Sequence, residues 1–163
     1  MADSTAPEEQ YEVSGGRTAP GVISSPGEAP TRADYTDAFT IAASVDATAE
    51  QWLVACFEEG IPRRDRNLIF QFLAGFNTVP DRTEGHVAGW RLGRVENGIA
   101  EMTATGSRML GLLRLEIVPK GVRLTTAMHY RSLLGRIIWT VCSAFHRREA
   151  PHVLRRGAEL LRG

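Results

Sequence analysis

Residues 121–145 read GVRLTTAMHYRSLLGRIIWTVCSAF, and the fold turns on the change of hydrophobic period in the middle of that stretch. Val122, Leu124, Thr126 and Met128 alternate with Arg123, Thr125 and His129. That is the two-residue period of a strand with one covered face. From about residue 132 the apolar positions fall at Leu134, Ile137, Ile138, Val141 and Phe145, with Trp139 and Cys142 at the edges of the stripe. That is the 3.6-residue period of a helix, and this stripe is expected to face inward. A strand therefore feeds directly into a long C-terminal helix.

Upstream, the period of two persists. Strands are expected at about 87–96, 98–106 and 109–118, ahead of the one at 121–130. Asn97-Gly98 is a strong hairpin signal, and Gly106-Ser107 and Pro119-Lys120-Gly121 mark the other turns. Ala100, Met102 and Ala104 form one apolar row, and Met109, Leu113, Leu115 and Ile117 another. Glu101, Arg114, Glu116, Arg123 and His129 fall on the opposite face. The pattern is an antiparallel sheet covered on one side.

Residues 35–42 also alternate, with Tyr35, Phe39 and Ile41 on one face. Thr48 and Gln51 then fit a capping box ahead of a helix whose stripe is Trp52, Leu53, Cys56 and Phe57. Gly60 and Pro62 end it and open a second helix carrying Leu68, Ile69, Phe70, Phe72, Leu73 and Phe76, expected to be deeply buried. Pro151 is expected to kink or break the last helix, because it cannot donate the intrahelical bond. Arg148, Arg155 and Arg162 recur every seven residues, as on a solvated face.

The order is strand, two helices, a run of antiparallel strands and one long helix. Only that last helix is large enough to cover a curved sheet. The expected fold is α+β of the helix-grip type. It occupies residues 34–163, behind a disordered acidic leader at 1–33. The leader holds four of the eight prolines, four glycines, and five acids against two arginines. Such a composition buries too little apolar surface to offset its ordering entropy.

The charges of the 163 residues sum to zero, 19 basic against 19 acidic. That balance excludes a general nucleic-acid binder, which needs a basic surplus to release phosphate counterions. The sum hides unlike parts, since residues 131–163 carry seven arginines against two glutamates. Lys120 is the only lysine and is followed by Gly121 and Val122. This excludes a Walker-type phosphate loop and leaves no other residue for Schiff-base chemistry. Cys56 and Cys142 form no Cys-x-x-Cys, and no His-Glu-x-x-His occurs around His146, Glu149 and His152, so neither a metal nor a cofactor is expected. No run of ~18 apolar residues or basic n-region is present, so the expectation is a cytoplasmic chain without a membrane span.

Several motifs resemble the bacterial DUF2867 family over about residues 34–161. They are Tyr35-Thr-Asp-Ala-Phe39, the helix from Trp52 to Phe57, Val87-Ala-Gly-Trp-Arg91, Thr125-Thr-Ala-Met-His-Tyr130, and Leu134-Gly-Arg-Ile-Ile-Trp139 through Phe145-His-Arg. That family is grouped with the START/Bet v 1-like (SRPBCC, polyketide cyclase-like) superfamily. The resemblance implies a helix-grip fold and a cavity between sheet and helix for an apolar or aromatic small molecule. The motifs look structural rather than catalytic.

The residues expected to line such a cavity are Trp90, Met102, Met109, Leu113, Leu124, Met128, Tyr130 and Trp139. Methionines adapt their shape and tryptophans stack on rings, though both also serve as plain core. Tyr130 shares the parity of Met128, so its hydroxyl is the best inward polar candidate, whereas His129 points outward. Glu101 and Glu116 read as partners of Arg114 and Arg123 rather than as an acid–base pair. Cys56 and Cys142 read as core thiols, and Arg91 and Arg94 as residues at the cavity mouth. Three functions stay open: binding of a hydrophobic small molecule, a cyclase- or aromatase-type enzyme using the same cavity, and a protein-interaction module without a ligand. No catalytic residue is assigned.

Overall fold

The computed structural model describes residues 11–25 and 28–163. Its strands are β1 (Val13–Arg17), β2 (Val22–Ile23), β3 (Thr31–Arg32), β4 (Tyr35–Ala42), β5 (His86–Val87), β6 (Trp90–Glu96), β7 (Ile99–Thr105), β8 (Met109–Val118) and β9 (Gly121–Tyr130). Helix α1 (Ala49–Leu53) continues as a π-helical turn, Val54–Glu59, and α2 (Arg63–Asn67) continues as another, Leu68–Leu73. Helix α3 spans Leu133–Arg162. Seven strands form one antiparallel sheet in the order β1-β4-β9-β8-β7-β6-β5, and α3 lies across its inner face. The fold is α+β of the helix-grip type.

The hairpins follow the expected turn chemistry. Asn97 and Gly98 both have positive φ, 50° and 73°, the geometry of a two-residue hairpin turn that matches strand twist. Thr48 and Gln51 form the capping box, with Gln51 N–H donating to the threonine hydroxyl and Thr48 N–H donating to Gln51 Oε1 at 2.8 Å. Gly111 of β8 leaves room for the rings of Phe76 and Trp90, which meet edge to face at 5.0 Å.

Three expectations need correction. First, the leader is not disordered where it is described. β1 pairs along β4, and β2 with β3 covers the outer sheet face, where Ile23 and Ala33 bury against Leu110, Leu112 and Ala127. Residues 1–10 and 26–27 lie outside the described residues. Backbone hydrogen bonds carry this pairing, so side-chain composition does not report it. Gly15 shows the closeness of approach: its φ is 143° and a Cβ there would overlap the Ala38 carbonyl oxygen. The sheet therefore takes in a strand upstream of residue 34, and part of its outer face is covered as well.

Second, the second helix is not deeply buried along its described apolar side chains, those of Phe72 and Leu73 lying outside the description. Leu68 is exposed and Ile69 and Phe70 are half-buried, whereas Phe76 is buried as expected but lies beyond the helix, in a bridge to Gly106. Among its described side chains Arg66 is buried, donating to Asp81 Oδ2 at 2.6 Å and to the Phe57 carbonyl at 3.2 Å.

Third, α3 is turned the other way and runs unbroken through Pro151. Its buried face is Gly135, Trp139, Ser143, Ala150, Leu154, Gly157 and Ala158. The bulky row Leu134, Ile137, Val141 and Phe145 is exposed. Small residues explain the choice of face. A Cβ on Gly135 would overlap the Arg108 carbonyl, and one on Gly157 would overlap Cys56 Sγ. The helix settles where its backbone can approach closely, and burial of Leu154 and Ala158 beyond Pro151 holds the last turns in line.

Candidate functional site

Strand alternation puts Tyr35, Asp37, Phe39 and Ile41 on the same inner face of β4. Three of these suit an apolar interior. The fourth is a carboxylate with no solvent exposure at all. An unpaired buried charge is very costly, so its partners define the site. The Tyr35 hydroxyl donates to Asp37 Oδ2 at 2.5 Å. His146, on α3, places Nε2 at 3.1 Å from Oδ2 and 3.4 Å from Oδ1 of the same carboxylate. A carboxylate accepts and does not donate, so the imidazole meets it with the proton on Nε2. Arg147 Nη1 donates to the Tyr35 oxygen at 3.3 Å, and the Arg17 guanidinium stands 5.0 Å from the centre of that ring.

Trp139 walls this cluster. Its ring meets Tyr35 edge-on at 5.4 Å and His146 at 5.3 Å. Across the sheet, Thr126 of β9 is the register partner of Asp37. Both Thr126 Oγ1 and Trp139 Nε1 are buried without a hydrogen-bond partner, as is Trp90 Nε1 farther along the sheet. Buried polar groups in native proteins are nearly always paired. Burial, then the hydrogen bond to Asp37, drive the Tyr35 hydroxyl well above the ordinary tyrosine range. His146 is about a fifth exposed, 22%, so the imidazole links a buried carboxylate to the surface. An imidazole held by a carboxylate can accept or deliver a proton.

The eight residues expected to line a cavity all lie between the sheet and the helices. Trp90, Met102, Met109, Leu113, Leu124, Met128 and Trp139 are buried in one continuous core, and Tyr130 is half-buried against it. Burial raises the Tyr130 hydroxyl as well. Among the described residues, none of the eight lines either of two larger surface clefts. One cleft, of about 760 Å³, opens at the end of the sheet between Trp52, Lys120 and Arg162. Another, of about 770 Å³, lies on the outer face over Glu101 and Arg114. Arg91 and Arg94, expected at an inner mouth, line this outer cleft instead.

His129 points outward, with Nδ1 3.0 Å from Asp34 Oδ2. Glu101 and Arg114 face each other at 3.5 Å across β7 and β8. Cys56 is buried and desolvation pushes its thiol up to about 12, the state of a core residue rather than a nucleophile. Among the described residues, no three His, Cys, Asp or Glu side chains gather as metal ligands would, and no helix is long and apolar enough to cross a membrane.

Reading the sequence missed Asp37 and His146. A signal was present for the first. Asp37 has the parity of Tyr35, Phe39 and Ile41, and an acid on the apolar face of a strand is the informative exception. His146 had none, because the hydrophobic stripe of α3 marks a different side of the helix.

No family model matches the chain, DUF2867 included, and no curated protein matches it. Among solved structures the chain is similar to CalU16 from Micromonospora echinospora. The identity is 17% and the TM-score 0.32, over 91% of this chain and 96% of that chain.

Proposed function

We propose that the chain binds a small apolar or aromatic molecule carrying a polar group, between the sheet and α3. The observation that carries this reading is the buried Asp37–Tyr35–His146 cluster beside the unpaired polar atoms of Thr126 and Trp139. Well-packed apolar residues in place of a buried charged cluster are often as stable or more so, so stability alone does not account for the carboxylate. A ligand hydroxyl or carbonyl would satisfy the open positions. Its apolar body would rest on Met102, Met109, Met128 and Leu124, whose side chains can shift to admit it. Trp90 and Trp139 supply ring faces, and the phenol of Tyr130 a further polar contact. The resemblance to a START-like family points to the same space.

Thermal unfolding against a panel of lipids and aromatic polyketides tests the proposal. A ligand at one hundred times its Kd stabilises by about 2.7 kcal/mol. For a chain of this size that raises Tm by roughly 5–10 °C. The shift should disappear in Asp37→Asn and His146→Gln. No shift with any apolar ligand in the panel would refute it.

One observation favours a second reading, catalysis of the cyclase or aromatase type. His146 is oriented through Nε2 by a carboxylate, as a general base that takes a proton on its other ring nitrogen is held. On that reading His146→Gln abolishes turnover while ligand binding survives. Equal loss of both would assign His146 to binding alone.

A further inference from the structure

The outer face of α3 carries Leu133, Leu134, Ile137, Val141 and Phe145, which are between 51% and 73% exposed. Leu133, Ile137, Val141 and Phe145 follow at intervals of four, so they form one ridge about 18 Å long at 1.5 Å per residue. Single exposed apolar side chains are ordinary on a protein surface, but a contiguous row of this size marks a place of contact. The stability of α3 does not need this row, because the helix is already packed through its opposite, small-residue face.

Charge narrows the occupant. From Leu133 to Arg148 the helix has no acidic residue. Arg136 stands exposed on one flank of the ridge and Arg148 exposed at its end, with the half-buried Arg147 between them around the helix. The first acid, Glu149, lies 3.8 Å from Arg148. A second copy of the chain would bring the same arginines against these and offer no carboxylate from that stretch. A partner peptide would need a groove, and this surface is a convex ridge. A surface that is negative, and soft enough to take in a ridge of leucine, isoleucine, valine and phenylalanine, is an anionic bilayer.

We infer that the outer face of α3 docks on an anionic lipid surface, with Leu133, Ile137, Val141 and Phe145 entering the headgroup region and Arg136 and Arg148 meeting lipid phosphates. The helix lies along the membrane and does not cross it. This inference stands apart from the proposed small-molecule site, which would use the opposite face of the helix.

Flotation of the full chain with vesicles of phosphatidylcholine, with and without phosphatidylglycerol, tests it. The chain should float with the anionic vesicles and remain below with neutral ones. Ile137→Asp with Val141→Asp should abolish flotation, and Arg136→Gln with Arg148→Gln should weaken it by about tenfold or more. Ile137→Ser with Val141→Ser serves if the charged pair disturbs folding, judged by thermal melting. Failure of the unaltered chain to float with anionic vesicles would overturn the inference. So would flotation unchanged by either apolar pair. A wild-type dimer that the same substitutions return to monomer, without vesicle binding, would assign the ridge to a second copy instead. Capture of an acidic protein without vesicle binding would likewise overturn it.

Discussion

Thr126 stands directly opposite Asp37 in the β4–β9 register, and its hydroxyl is unpaired although the neighbouring carboxylate is wholly buried. Residues so placed have Cβ atoms about 5 Å apart. The carboxylate instead takes its donors from Tyr35 on its own strand and from His146 on the helix. The three-way contact clamps sheet to helix with polar groups inside an apolar interface.

Removing one member of that clamp should cost more than its contact alone. His146→Ala leaves Asp37 buried with only Tyr35, and a cost of about 3–5 kcal/mol is expected in urea unfolding. Asp37→Asn with His146→Gln should be less damaging than the two single changes added, with a coupling of about 0.5–3 kcal/mol. Strict additivity would show that the two residues do not act together.

Alkaline pH should loosen the fold through Tyr35. Its hydroxyl ionises at a higher pH in the folded chain than the ordinary value of 10.0, from burial first and the Asp37 hydrogen bond second. The folded state therefore holds this proton more tightly than the unfolded state. The stability it contributes is fully present below about pH 10 and is lost as pH rises toward the folded value. Tyr35→Phe should reduce the fall of Tm between neutral and strongly alkaline pH. Part of the slope should remain, because Tyr130 is raised in the same sense.

Gly157 and Cys56 form the close contact between α3 and the first helix. Gly157→Ala should destabilise by about 1–3 kcal/mol through overpacking. Cys56→Ala in the same chain should recover most of that loss by removing the sulfur. In the native protein a thiol reagent should modify the half-buried Cys142 first. Cys56, buried and with its thiol pushed up to about 12, should react only on unfolding.

Arg66 is buried while its partner Asp81 is partly exposed. Asp81→Ala therefore leaves a guanidinium without its carboxylate and should cost about 3 kcal/mol. A loss below about 0.5 kcal/mol, measured by chemical unfolding, would mean the Phe57 carbonyl alone satisfies it.

The strands from Ile99 to Tyr130 were legible because alternation, Asn97-Gly98 and the turn glycines all point one way. The facing of α3 was not. That helix has two candidate faces, one of bulky aliphatics and one of Gly135, Ser143, Ala150, Gly157 and Ala158. Hydrophobicity selects the first, whereas close backbone packing selects the second. Tyr35, Phe39 and Ile41 were placed correctly on β4, but Asp37 between them was passed over, because a strand pattern scores an acid as a polar position. His146 inherited the error in α3. Trp90, Met102, Met109, Leu113, Leu124 and Met128 are buried in one interior because they lie on strands whose two-residue period is plain, whereas Trp139 is buried on the face of α3 that the hydrophobic stripe does not mark.

The pairing of β1 with β4 has a practical consequence for anyone shortening the chain. A version trimmed to begin at residue 34 would follow the shift in composition and lose β1, β2 and β3 together. The long edge of β4 would then present open amide and carbonyl groups, and Leu110, Leu112 and Ala127 would lose the cover of Ile23 and Ala33. A bare edge beside a greasy patch invites other chains to add strands, and precipitation follows. The proline- and glycine-rich stretch that looks expendable is the sheet's guard against self-association.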